Sequence, residues 1–194
     1  IFFGDNGPED QVLHRGTPGY WEGSYFSGYE GSLRTPFLIR YPGHVPEGGV
    51  SNEIVHIVDV FPTVLQWAGC EVPDDRQIDG IDQRAFFEGQ SEESAREGFI
   101  FWNGTALYGV KWRNFKMLMA NNKYFWDAKE EYVVPHLINL LVDPKEREPT
   151  NPKYLHTWVY HHAFGMILDF QASLKEEPLI PMGAPLHHVP TPEG

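Results

Sequence analysis

The chain opens on an apolar triplet, Ile1-Phe2-Phe3, that stops at Gly4-Asp5-Asn6-Gly7-Pro8. An apolar run ending in a cluster of turn formers predicts the end of a buried strand, a place where functional side chains often sit. From Glu9 to Arg34 there is no helical period, and glycines recur at 16, 19, 23, 28 and 31. This predicts a long surface loop, and long ordered loops in compact domains are usually functional. Pro36 to Tyr41 is apolar and β-prone and is closed by Pro42-Gly43, which predicts a second strand. Asp59 stands where it can cap a helix carrying Phe61, Val64, Leu65 and Ala68, with Pro62 in the first turn and Gly69 as the stop.

Between Asp74 and Asn103 the composition turns polar and reads as a connection. From Phe99 the pattern changes to short apolar runs, Phe99 to Trp102, Ala106 to Trp112, Phe115 to Met119 and His136 to Leu141, with turn signals at Asn103-Gly104 and Asn121-Asn122. A small antiparallel sheet is the simplest reading. Tyr160, Phe164, Ile167 and Leu168 fall at i, i+4, i+7 and i+8, the stripe of an amphipathic helix able to cover one face of that sheet. The expected organisation is therefore an α/β unit with its loop over 1–90, an antiparallel sheet with a packed helix over 91–177, and an irregular Pro-rich tail over 178–194.

Composition acts mainly by exclusion. A formal charge of −12 with no Lys/Arg cluster repels phosphate backbones, so no nucleic acid partner is expected. No apolar run approaches the ~20 residues that span a bilayer, so no membrane partner is expected either. The single cysteine, Cys70, excludes an internal disulfide and reads as a small buried residue after a helix. Trp102, Trp112, Trp126 and Trp158 read mostly as core or sheet-covering residues.

Asp5 beside Asn6 at a strand end offers hard oxygen donors of the kind Ca²⁺ or Mg²⁺ takes, although Asp-Asn-Gly is also an ordinary turn. Around it stand further segments in a fixed order: Tyr29-Glu30-Gly31-Ser32-Leu33-Arg34-Thr35-Pro36, Phe37 to Gly43, Val58-Asp59 through Ala68-Gly69, Asp79-Gly80-Ile81-Asp82, and Leu137-Ile138-Asn139-Leu140-Leu141-Val142-Asp143-Pro144. Together they resemble the C-terminal part of type I sulfatases of the alkaline-phosphatase superfamily, over roughly Ile1 to Glu148. The resemblance implies an α/β sulfatase fold and sulfate-ester hydrolysis by a formylglycine made from Cys or Ser, with one Ca²⁺ polarising the sulfate. It implies that Asp5 and Asn6 are two of the calcium ligands and that the remaining ligands and the nucleophile lie on a missing upstream half. His14, Arg15 and Arg34 are the substrate-binding candidates, His14 and Arg34 each with a structural reading beside it: a surface histidine, and an ion pair with Glu30. The partners would be that upstream half and a sulfated small molecule or glycan, in a periplasmic or secreted setting.

Two features depart from the family pattern. Cys70 is followed by Glu71-Val72-Pro73, not by x-Pro-x-Arg, so no formylglycine precursor is present in this chain. The place four residues before Tyr29, where many sulfatases carry a sulfate-binding lysine, holds Tyr25. Two other readings stand beside the sulfatase: a phosphate or phosphonate ester hydrolase of the same superfamily, which would pair two transition metals and show Asp-His where Asn6 stands, and a non-catalytic glycan-binding pseudo-enzyme.

Overall fold

The structure, a computed structural model, describes residues 1–9, 16–75, 77–149 and 155–185. Its centre is a four-stranded antiparallel meander, β3 (Gly98–Asn103), β4 (Ala106–Trp112), β5 (Phe115–Asn121) and β6 (Glu130–Asn139), in that spatial order. Two-residue turns set the register. Gly104 takes φ +59 between β3 and β4, where a left-handed residue suits the twist of a hairpin. Between β4 and β5 the same place is held by Arg113 at φ +50, a conformation unfavourable for a side chain with a Cβ. Its N–H donates to Glu97 O at 2.7 Å, its guanidinium pairs with the Glu97 carboxylate, and its Cζ lies 5.1 Å from the Trp112 ring centroid, which together hold it there. A bulge at Phe101/Trp102 turns Tyr108 onto the face opposite Val110, two residues away.

One face of the sheet presents Val110, Trp112, Met117 and Leu137 and is covered by helix α4 (Val159–Glu176). The helix buries Ile167 of the expected stripe together with Val159 and Ala163, whereas Phe164 and Leu168 are 40% and 62% exposed. The reason is volume. Trp112 and Met117 already fill the interface, so the helix can approach only along its small residue, Ala163, which rotates the larger Phe164 and Leu168 outward. Tyr160 stays at the edge, its hydroxyl donating to Pro135 O at 2.7 Å.

The opposite face combines Phe101, Tyr108, Leu118, Ala120, Ile138 and Leu140 with two lysines, Lys111 and Lys116. The glycine-rich segment lies against it. That segment is not loop throughout, because Glu30–Leu33 form one helical turn, α1. Gly28 fits against the sheet where a Cβ would stand 3.0 Å from Asn121 Oδ1 and 3.2 Å from Leu118 Cδ2, and its N–H donates to Asn121 Oδ1 at 2.7 Å. Asn103 Nδ2 ties the hairpin tip to the same segment through Phe26 O at 2.8 Å.

The N-terminal part adds a two-stranded antiparallel ribbon, β1 (Phe2–Phe3) with β2 (Phe37–Leu38), then a 3₁₀ turn (Ile57–Asp59), helix α2 (Val60–Trp67) and a short helix α3 (Arg84–Phe87). Phe2 is 64% exposed and Phe3 37%, so the expected buried strand is a solvent-facing ribbon in this chain. A pair of two-residue strands has too little surface to bury its own side chains. Phe3, Phe37, Phe87 and Trp67 stack in sequence at 6.2, 5.7 and 5.9 Å and tie the ribbon to α3 and α2.

Asp59 precedes α2 but its side chain does not cap it. The carboxylate is fully buried and takes Arg96 Nε at 2.8 Å and Nη2 at 2.6 Å, with the N–H groups of His56 and Ile81 at 2.9 and 2.8 Å. A buried carboxylate requires a charged partner, and the guanidinium outcompetes the helix N-terminus. Cys70 is exposed, contrary to expectation, because α2 ends at Trp67 and the residues after it leave the packed surface. Among the four singled-out tryptophans only Trp112 is core; Trp102, Trp126 and Trp158 are 45%, 58% and 51% exposed.

Replacing Ile167 with Ala should lower unfolding free energy by about 2–4 kcal/mol, whereas Leu168→Ala should change it by less than ~0.5 kcal/mol. Urea denaturation followed by circular dichroism measures both; equal losses would contradict the helix orientation.

Candidate active site

An open cavity of about 1210 Å³ lies beside the end of β1, the C-terminal end of α1 and β2, with Asn6, Trp21, Arg34 and Lys111 on its wall. Its floor is made by backbone packed on backbone. Gly7 N–H donates to Ser32 O at 2.9 Å, and a Cβ on Gly7 would lie 1.9 Å from Gly31 O, so only glycine lets the Asp5-Asn6 turn dock on α1. Gly31 is equally constrained, since its own Cβ would meet Glu22 O at 2.4 Å and Gly23 O at 2.5 Å. The two glycines of the sequence motifs are therefore the contact that positions the first candidate ligands.

Asn6 lines the cavity and donates through Nδ2 to Gly7 O at 2.7 Å, which fixes the amide and leaves Oδ1 without a partner among the described residues. Asp5 lies between Gly4 and Asn6, both on the cavity wall; its carboxylate is exposed and accepts no hydrogen bond among the described residues. The turn is thus formed by Asn6 and the glycines; the acidic oxygens meet no partner among the described residues, and Asp5 itself does not line the cavity. Both donors are hard oxygens and suit Ca²⁺. They are part of a shell only, because that ion takes roughly six to eight oxygens and no group of three or more His, Cys, Asp or Glu suited to a metal occurs among the described residues.

Arg34, at the C-terminal end of α1, makes the ion pair its sequence position allowed and also stands on the cavity wall. Its Nε pairs with Glu30 Oε2 at 2.5 Å and its Cζ lies 4.0 Å from the Trp21 ring centroid, while the side chain remains 30% exposed on the cavity wall. Stacking and ion pairing fix the plane of the guanidinium. His14 and Arg15 fall outside the described residues. Tyr25 stacks on Phe125 at 5.8 Å and against Phe26 at 4.4 Å. Desolvation and Glu9 raise the pKa of its hydroxyl, and a phenol carries no positive charge in either protonation state, so Tyr25 supplies no cation.

The cluster behind Arg34 was not anticipated. Lys111 and Lys116 are Cα partners across β4 and β5, on the same face, and both are buried. Like charges directly opposite each other repel, and here a fully buried carboxylate separates them. Lys111 Nζ lies 2.5 Å from Glu30 Oε2 and Lys116 Nζ 2.9 Å from Glu30 Oε1. Lys116 also donates to Glu146 Oε1 at 2.7 Å and to Gly28 O at 2.8 Å, and the second Glu146 oxygen accepts the Glu30 N–H at 2.6 Å. Burial alone would raise the Glu30 carboxyl, but Lys116, Lys111 and Arg34 outweigh it and hold it far below the usual carboxylate range. Burial likewise pushes the Lys111 ammonium down, to about 8, against the opposing pull of Glu30.

The last sequence motif explains how Glu146 arrives. Asn139 O accepts the N–H groups of Val142 and Asp143, and the Asp143 carboxylate accepts those of Arg147 and Glu148 at 3.1 and 2.8 Å. The Asn-Leu-x-x-Asp-Pro segment is thus a turn scaffold, and it holds Glu146 at φ +55, aimed into the sheet.

The arrangement of the short ribbon, α1 and the antiparallel sheet with its covering helix matches solved sulfatase structures. The crystal structure of the PsFucS1 sulfatase from Pseudoalteromonas sp. superposes with a TM-score of 0.83 at 27% identity, covering 94% of this chain and 38% of that one. Human steryl-sulfatase is 28% identical over 162 residues, 72% of this chain and 28% of its own length. Rat arylsulfatase G is 33% identical over 177 residues, 79% of this chain and 34% of its own length. Residues 19–159 match the sequence model of the N-sulphoglucosamine sulphohydrolase C-terminal family, and the chain belongs to that family. It spans about a third or less of the length of these two relatives.

The Glu30 cluster makes stability pH-dependent with a definite sign. A carboxylate held below its unfolded value stabilises above that value and loses the contribution as pH falls toward the folded one. The urea midpoint should therefore drop below about pH 4.5, the ordinary glutamate value. Glu30→Gln should cost about 3–5 kcal/mol at pH 7, since it leaves two buried lysines facing each other, and should flatten the acid limb.

Proposed function

We propose that this chain forms the metal-holding and anion-facing side of a site that hydrolyses sulfate esters, with the nucleophile supplied by sequence upstream of Ile1. The observation that carries the reading is the Asp5-Asn6 pair: two hard oxygen donors with no partner among the described residues, on a turn that glycine backbone contacts have already fixed. Asp5 and Asn6 would hold one Ca²⁺, which when bound supplies Lewis-acid polarisation of the ester's sulfate group. Arg34 would bind a sulfate oxygen through the guanidinium edge turned away from Glu30, and His14 and Arg15 remain candidates for the same group on sequence grounds. The stack on Trp21 orients that edge before substrate arrives, so little reorganisation is needed as negative charge develops. A sulfated small molecule or glycan is the substrate class.

Cys70 does not serve as a formylglycine precursor in this reading. It is exposed after α2, its thiol within 3.9 Å of Ala68 O, and lacks the x-Pro-x-Arg context.

Nitrocatechol sulfate should be turned over by a polypeptide carrying the natural upstream sequence joined to this chain, and not by residues 1–194 alone. Turnover should vanish with a calcium chelator and return with Ca²⁺. Asp5→Ala and Asn6→Ala should each lower kcat/KM at least ~100-fold, the scale of losing a ligand or transition-state contact. Hydrolysis by residues 1–194 alone, or chelator-resistant hydrolysis by the longer polypeptide, would contradict the proposal.

A further inference from the structure

Three cations, Arg34, Lys111 and Lys116, meet two carboxylates, Glu30 and Glu146, in one connected cluster. Among the described residues one positive charge is therefore left over, inside a chain whose formal charge is −12. Where it resides follows from the hydrogen bonds. Lys116 is fully buried, donates to Glu146 and to Gly28 O, and lies 2.9 Å from Glu30 Oε1 as an ion pair. Lys111 and Arg34 differ. Both bind the same oxygen, Glu30 Oε2, at 2.5 Å each, and both line the cavity that Asn6 lines. Beyond that oxygen, neither the Lys111 ammonium nor the two Arg34 Nη atoms meet a further hydrogen-bond partner among the described residues.

We infer that Lys111 and Arg34, joined through the shared Glu30 oxygen, form the anion-receiving pair of this cavity, with Lys116 and Glu146 beneath them fixing the position of Glu30. A tetrahedral oxyanion completes the charge balance that the cluster leaves open, its oxygens accepting from the Lys111 ammonium and the Arg34 fork. Glu30 carries one negative charge shared among Lys116, Lys111 and Arg34, so it cannot neutralise both upper cations at once. The identity of the anion as sulfate rests on the sulfate-ester reading; the pairing of Lys111 with Arg34 does not.

The geometry carries a pH signature. The charged groups facing Lys111 are Glu30 and Arg34 from α1 and its end, Lys116 from β5, and Glu146 from the turn after β6. Lys111 is depressed to about 8 by burial, so above that pH it loses its proton and the surplus charge of the cluster disappears. Anion affinity should therefore fall through about pH 8, well before arginine could titrate.

The test is titration of residues 1–194 with sodium sulfate against sodium chloride at constant ionic strength, read by calorimetry and by tryptophan emission, with Trp21→Phe identifying the signal from beneath Arg34. Saturable sulfate binding is expected, lost in Arg34→Ala, about tenfold weaker in Lys111→Met, and falling through pH 8 in the parent but level across that range in Lys111→Met. Absence of saturable binding, or an affinity independent of both Lys111 and pH, overturns the inference. If Lys111→Met does not fold, Arg34→Lys and the pH series of the parent chain decide it, since these keep the buried charges. The sulfate-ester reading fails separately, when the longer polypeptide hydrolyses no sulfate ester although residues 1–194 still bind the anion. Hydrolysis with Lys111→Met at parental KM and kcat would spare that reading and reject this inference.

Discussion

Two lysines placed opposite each other on adjacent strands, both shielded from water, can persist only if a carboxylate lies between them. Glu30 meets that requirement and thereby dictates much else. To bring it there, the glycine-rich segment must lie flat on the sheet, which needs Gly28 against Leu118 and Asn121. Glu146 must come from the far side, which needs the Asn139 and Asp143 turn. The α1 turn that carries Glu30 then offers its backbone to Gly7, so the position of Asp5 and Asn6 is set by charges buried on the far side of α1. The antiparallel sheet is accordingly part of the site's foundation and not an appendage to it.

Much of the framework was legible from residue pattern. The strands β3, β4 and β5 follow apolar runs bounded by turn formers, and the ordered motifs identify the family. What failed did so for identifiable reasons. Of the α4 stripe Tyr160, Phe164, Ile167 and Leu168, Ile167 packs as expected, but packing against Trp112 selects the small Ala163 in place of Phe164 and Leu168. Asp59 has the sequence position of a cap, but Arg96, 37 residues away, claims its carboxylate. The single turn of α1 is too short to show a period among glycines.

The buried cluster was missed although a signal existed. Lys111 and Lys116 interrupt apolar strands, and a two-residue turn at Arg113-Asn114 would make them direct partners on one face. Recognising that turn required accepting arginine in a left-handed conformation, which sequence preference argues against. Glu146 carries no signal of its own; only the scaffold of Asn139 and Asp143 directs it inward. Local pattern therefore revealed the elements, while the long-range electrostatics that lock them had to be seen in three dimensions.

The shortness of that β4–β5 connection has a consequence for how sequences of this kind can change. Adding one residue within the hairpin would shift the pairing by a single step and carry a lysine from the polar side of the sheet into the interface beneath α4. The eight-residue connection between Asn121 and Glu130 has no such constraint on its length. Insertions and deletions should then accumulate in the longer connection, leaving the tight one frozen in length even where its own residues vary.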